Sequence, residues 1–376
     1  MAVAKPDETE NPAKSRVLSV LGPGLITGAS DDDPSGIATY SQVGGLLFIA
    51  NTINIGADLG AMGDALSLLI GGPHLLYVML AGVLCVVLQI FVQYTRYVSV
   101  LKWLTLSLFA YFGTVMVVHI PWGEMARGLF IPTLSASATF WTSVVAILGT
   151  TISPYLFFWQ ASQEVEDVEA TSKRDPLKYA PHQAERALAR IRLDTCIGMA
   201  FSNLVAIAII VTTAATLHLQ GITNIQTSSE AAEALRPVAG RFAFSVFTLG
   251  ILGTGLLAVP VLAGSAAYAI GEARQWPTGL ARQPLQAKAF YATLAIATFA
   301  GVALNFTPLN PIRALFWSAV INGVVAVPVM ALMMLLTANA KVMGQFTVTG
   351  VLRFTGWLTT AVMAAAVTGM LITAVV

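Results

Sequence analysis

The chain alternates between long apolar runs and short polar intervals, and the apolar runs have the length of membrane-crossing helices. About 20 consecutive apolar residues cross a bilayer core as an α-helix. On that criterion the pattern predicts spans over residues 17–45, 46–70, 75–93, 98–120, 137–162, 191–218, 242–270, 285–306, 311–337 and 353–376. The first two runs adjoin with no polar loop between them. The interval 164–190 is strongly charged and reads as an aqueous loop, and 219–241 and 271–284 are further polar loops. Only helices and closed barrels satisfy every backbone polar group in lipid, and these runs are far too long for barrel strands. An all-α, multi-pass membrane protein is the predicted class.

Composition agrees with the pattern. Of 376 residues, 56% are hydrophobic and 10% charged, with mean hydropathy +0.75, whereas soluble domains carry roughly a quarter charged residues. A soluble fold is excluded, and no basic patch for nucleic acid is present. Cys85 and Cys196 both fall inside predicted spans, so no disulfide is expected. Residues 1–16 are polar and carry Lys5, Lys14 and Arg16. They read as a cytoplasmic tail, with no separate signal peptide before the first span. Residues 17–376 then form a single transmembrane domain.

The net charge of +1 hides a segregation that sets orientation. Positive residues favour the cytoplasmic side. The loop 164–190 holds Lys173, Arg174, Lys178, Arg186 and Arg190, and the intervals with Arg96/Lys102 and with Arg274/Arg282/Lys288 lie two spans away on either side. Alternation puts all three inside. Run backwards, it makes 46–70 start inside, in conflict with a cytoplasmic basic tail separated from it by one span. The conflict is resolved if a span that should follow the first is absent, leaving about 40–60 residues missing between Gly45 and Leu46.

The segment with the most chemistry is residues 22–38, GPGLITGASDDDPSGIA. Asp31, Asp32 and Asp33 stand in the middle of an apolar span. A charge there costs several kcal/mol, and such residues are functional candidates by default. Pro34 lacks an N–H and Gly36 a side chain, so the helix is expected to break and free carbonyl oxygens beside the carboxylates. The competing assignment, a polar loop between two short helices, requires flanks too short to span separately. A second break is expected at residues 150–160, TTISPYLFFWQ, where Pro154 interrupts the span 137–162. Two interrupted spans in corresponding places of two halves point to a transporter's binding site. The halves would be inverted repeats over about 17–120 and 137–337, with 353–376 an extra last helix; the first half is one span short.

These two stretches resemble the first- and sixth-helix motifs of the NRAMP divalent-metal transporters, whose first motif reads Asp-Pro-Gly-Asn and whose sixth carries Met-Pro-His followed by a second His. Residues 57–73 (ADLGAMGDALSLLIGGP) resemble the family's third helix, and its second helix has no counterpart. The resemblance implies the inverted-repeat, broken-helix, amino-acid-transporter-like fold. It makes Asp33 the metal-binding aspartate. Gly36 stands where the ligand asparagine should be, Ser153 replaces the methionine, Tyr155 the histidine after proline, and Gln160 the second histidine. Asp58 stands near the acidic residue linked in the family to proton transfer. This pattern is similar to the NRAMP-related magnesium transporters, which lack the methionine.

Donor chemistry points the same way. A thioether favours softer transition metals, whereas Mg²⁺ prefers oxygen ligands and keeps several waters. Asp33, the backbone oxygens of Gly36 and Ser153, and small side chains leave room for a hydrated ion. Asp32 and Asp31 would add negative field. Without the two histidines, groups titrating near neutral pH are absent, so uncoupled Mg²⁺ entry driven by the membrane potential is expected, with Mn²⁺ also passing. Asp58, Gln160 and Asn322 are candidates for the pathway; a helix–helix hydrogen bond is the alternative for Asn322. Asp64 is placed at a helix end. Glu164, Glu166, Asp167 and Glu169 read as a solvated charged loop that could attract cations at the inner mouth.

The expected protein is thus a monomeric, multi-pass carrier of divalent cations in the plasma membrane, without a cofactor. The alternatives are a proton-coupled Mn²⁺/Fe²⁺ importer, disfavoured by the residues at 153, 155 and 160, and an amino-acid transporter, whose substrate carboxylate three aspartates would repel. A membrane-embedded metal hydrolase lacks any accompanying His-Glu zinc motif or nucleophile–base arrangement.

Overall fold

The structure, a computed structural model, describes residues 34–92, 109–123, 138–170, 180–216, 228–309 and 311–375, with isolated positions in the intervals. Among the described residues the regular elements are all helical. Seven helical stretches among them are long and apolar enough to cross a membrane.

Helix α1, Pro34–Ile70, has 37 residues, about 55 Å at 1.5 Å per residue and well beyond the roughly 30 Å a bilayer core requires. Its stretch Gly45–Ile70 matches the predicted span 46–70, and α1 continues that span back to Pro34 through part of the predicted 17–45, whose residues 17–33 lie outside the described residues. The chain passes from Gly45 to Leu46 as regular helix, and no gap marks the join. Reversing direction needs a turn, and the stretch around Gly44 and Gly45 supplies neither a proline nor a polar loop. Two glycines alone are tolerated inside a helix. Beyond the join α1 is densely packed, with Leu47, Ala50, Ile55 and Leu59 fully buried.

Gly71 and Gly72, with φ of +72° and +100°, turn the chain into α2, His74–Phe91. Both angles lie in the left-handed region open to glycine. His74 Nε2 stands 3.2 Å from Asp64 Oδ1 and 3.1 Å from the Gly60 carbonyl, fastening the hairpin near its tip. Of the predicted span 98–120, α3 covers Phe109–Val117.

The predicted span 137–162 is two helices, α4 (Ala138–Thr151) and α5 (Pro154–Ala170). Helix α6 is Ala184–Thr216 and α7 is Ser228–Ala273. The loops predicted at 164–190 and 219–241 are therefore partly helical. Glutamate-rich sequence is a good helix former, and polarity alone did not distinguish a solvated helix end from a loop. Helices α8 (Lys288–Leu304), α9 (Pro311–Ala338), α10 (Ala340–Met343) and α11 (Gly350–Val375) complete the order.

Helix α1 is the centre of the bundle and makes its most extensive contact with α7. The two run antiparallel: Leu47 clusters with Ala269, Asn51 bonds Leu262, and Gly255 abuts Met62. Helix α8 runs parallel to α1, with Gly56 against Gly301 and Gly60 against Asn305. These directions are those that alternation assigns to spans 46–70, 242–270 and 285–306. The halves of the broken helix have different partners: α4 packs on α9 and α11, and α5 chiefly on α7.

Candidate functional site

The break between α4 and α5 follows from Pro154. Ile152 closes α4 by donating its N–H to Leu148 O at 2.7 Å, with φ −116° and ψ 61°. Pro154 has no N–H to offer the Thr150 carbonyl, which would be its partner in a continuous helix. Ser153 fills the vacancy. Its hydroxyl, 3% exposed with the rest of the residue, bonds the carbonyls of Gly149 at 2.8 Å and Thr150 at 3.0 Å. The Ser153 carbonyl accepts from Leu156 N–H at 3.1 Å. Ser153 thus caps the end of α4, and its lone pairs remain the part of the hydroxyl that could face a cation.

Tyr155 is half-buried and packs against the main core cluster. Its carbonyl accepts from Ser265 Oγ of α7 at 2.7 Å. Its hydroxyl lies within interaction range of the Ser153 hydroxyl and of Asp58, and Asp58 also acts on Cys85 of α2. Ser153 and Tyr155 thus meet at the break, and Asp58 of α1 acts on Tyr155 through its charge.

The remaining candidates are placed differently. Asp31, Asp32 and Asp33 lie outside the described residues. Gly36 sits in the first turn of α1, not in an open break. Helical backbone directs its carbonyl along the helix axis. Gln160 is exposed on α5 and donates to Thr195 Oγ1 of α6 at 2.7 Å, away from Ser153. Asn322 is 2% exposed on α9, and its Oδ1 has no partner among the described residues. Among these residues no three His, Cys, Asp or Glu side chains form a metal-binding group.

Sequence reasoning overlooked the polar seam in which Asn322 stands. Asn51 of α1 is wholly buried; its Nδ2 donates to Leu262 O at 2.9 Å, while its Oδ1 has no partner among the described residues. Ser318, one turn before Asn322, donates to Ala50 O at 2.8 Å. Asn51 and Asn54 in the otherwise apolar run 47–56 were the available signal, since buried amides in membrane helices seek partners. Glu166 was also misplaced. It is buried in α5 and not in a solvated loop.

A profile of the Nramp family, described as natural resistance-associated macrophage protein-like, matches residues 43–373. The chain belongs to the Nramp family. The matched stretch begins after the three aspartates. Two curated relatives are both named "Divalent metal cation transporter MntH". The one from Klebsiella pneumoniae (strain 342) is 27% identical over 241 residues, 63% of this chain and 52% of the relative. The one from Vibrio campbellii is 26% identical over 147 residues, 39% of this chain and 31% of the relative. The Nramp chain thus spans about half the length of the first of these relatives. A solved structure, a histidine-to-alanine mutant of the Eremococcus coleocola manganese transporter, superposes with a TM-score of 0.59 at 18% identity, over 86% of this chain and 70% of that one. At that identity the likeness speaks for the fold alone: this Nramp chain has the polytopic, all-α, broken-helix transporter architecture.

Proposed function

We propose that this Nramp chain carries divalent metal cations across a membrane, with Mg²⁺ and Mn²⁺ as cargo and without an obligatory proton. The observation that carries the reading is the break at Ser153–Pro154. It interrupts a membrane helix deep in the bundle, with the buried Ser153 hydroxyl and Tyr155 on its two sides. The relatives named as divalent-metal transporters support the class of cargo. Oxygen donors with neither thioether nor imidazole suit Mg²⁺ better than softer metals, in keeping with the magnesium-transporting branch. Asp33 and Asp32 would supply the carboxylates, with Asp31 adding to the field. Repeats over 17–120 and 137–337, a plasma-membrane location, a cytoplasmic N-terminus and a monomeric unit belong to the same proposal.

A second reading, proton-coupled Mn²⁺ or Fe²⁺ import, draws on Asp58. A carboxyl group in the membrane interior beside the site is a natural proton carrier. Proteoliposomes with an internal pH dye and an inside-negative potential separate the two. Mg²⁺ and Mn²⁺ entry without acidification supports the first reading; Mn²⁺ entry that excludes Mg²⁺ and acidifies the lumen overturns it in favour of the second.

A further inference from the structure

Glu166 lies on α5 twelve residues beyond Pro154, about 18 Å along the helix from the break. It is 6% exposed. Its Oε1 accepts from Leu280 N–H at 2.7 Å and from the Tyr268 hydroxyl, and its Oε2 accepts from Ala281 N–H at 3.0 Å. Among the described residues no Lys, Arg or His forms an ion pair with it. Backbone and hydroxyl donors therefore satisfy the carboxyl group in place of a counter-charge.

The connection between α7 and α8 is shaped to receive it. Gly279 has φ +133°, and a Cβ there would stand 3.1 Å from Glu166 Oε1. Glycine is thus required by backbone angle and by the nearness of the carboxylate together. Tyr291 bonds the carbonyls of Leu280 at 3.2 Å and Arg282 at 2.9 Å, and Arg282 Nε donates to Thr278 O at 2.8 Å. The connection is thus bonded within itself, and Glu166 fastens it to α5.

Helix α5 is also tied to α7 along its length, by Ser265 to the Tyr155 carbonyl at 2.7 Å and by Ser162 to Glu272 at 3.3 Å. Helix α4 is held elsewhere, with Gly149 pressed against Ala319 and Gly323 of α9. The Ser153 break is therefore a joint between two differently anchored halves, and Glu166 fixes the far end of one of them.

We propose that Glu166 is a positioning residue for the cation site: it clamps α5 to the α7–α8 connection and thereby sets where Tyr155 stands relative to Ser153. The link to a cation rests on the transport reading above; the clamp itself does not.

Glu166→Gln would turn one acceptor oxygen into a donor facing an N–H or O–H donor, at nearly unchanged volume. Two readouts on the full chain test the proposal, with Glu166→Ala as a second variant should Glu166→Gln be silent. The first is hydrogen exchange of the peptide covering 275–284, expected to quicken about tenfold when its buried acceptor is compromised. The second is the KM for Mg²⁺ and Mn²⁺ uptake, expected to rise at least about threefold at matched amounts of folded protein. Tyr268→Phe, which keeps both backbone bonds, should lie between wild type and Glu166→Gln in each. Unchanged exchange in both Glu166 variants overturns the clamp. Quickened exchange with an unchanged KM and a Vmax that only tracks folded protein reduces Glu166 to a structural role and overturns the positioning. If wild type moves neither cation, the transport reading fails, and the clamp stands or falls on exchange alone.

Discussion

Asn305 donates its side-chain amide to the Gly56 carbonyl at 2.8 Å and to the Gly301 carbonyl at 3.1 Å, stitching α8 to α1 where their backbones touch. A Cβ on Gly301 would stand 2.9 Å from the Gly56 nitrogen, and one on Gly56 would stand 2.9 Å from the Gly301 carbonyl. Both obstacles are backbone and can yield only if the helices part. Gly301→Ala is predicted to cost about 1–3 kcal/mol, and Asn305→Ala about 1 kcal/mol. Thermal unfolding in detergent measures both, and a wild-type melting point for Gly301→Ala would contradict the contact.

The α4–α9 contact is tighter still. A Cβ on Gly149 would meet the Ala319 carbonyl at 2.1 Å and the Gly323 nitrogen at 2.5 Å. Gly149→Ala is expected to displace α4 and lower both stability and uptake. Gly198, inside α6 with nothing within 4 Å of an added Cβ, is the control. Gly198→Ala should be neutral or stabilise by about 0.5–1 kcal/mol, because alanine costs less backbone entropy in a helix. Melting and uptake of the two variants side by side should move apart.

At the break, stability and function are predicted to move in opposite directions. Pro154→Ala restores an N–H for the Thr150 carbonyl and favours a continuous helix. Its melting point should rise while uptake falls. Ser153→Ala removes the hydroxyl from the Gly149 and Thr150 carbonyls and should cost about 1 kcal/mol. Full uptake by a more stable Pro154→Ala would detach transport from the break.

Arg190 pairs with Glu164 at 2.5 Å and reaches Asp167 at 4.0 Å, joining α6 to α5 through partly exposed side chains. Exposed pairs are worth about 0–1 kcal/mol and weaken with salt. Arg190→Ala should therefore shift the melting point little, and the remaining shift should shrink in high salt. A large, salt-independent loss would mean that the pair is more buried than its exposure indicates.

The parts of this architecture legible in the sequence were those set by one residue's own chemistry. Pro154 announces the break because a missing N–H acts wherever the helix carries it. The apolar runs announce the spans because a bilayer demands length. The parts that stayed hidden depend on partners distant in the chain. Glu166 looks like one of four solvated acids until Leu280 and Ala281, more than a hundred positions away, supply its donors. The continuity of α1 through Gly44 and Gly45 was equally hidden, since paired glycines fit a turn or a helix and only packing decides. Of the candidate site, Ser153 and Tyr155 flank the break at Pro154, whereas Gln160 bonds to α6 and Gly36 lies within a regular helical turn.

The most direct test of the central claim is Mg²⁺ uptake into proteoliposomes under an inside-negative potential, comparing wild type with Asp33→Ala at equal amounts of folded protein. Saturable Mg²⁺ entry that Asp33→Ala abolishes is the predicted result, and it would join the aspartate motif to the break at Ser153. Saturable entry that Asp33→Ala leaves intact, or no entry by wild type, would contradict divalent-cation transport through this site.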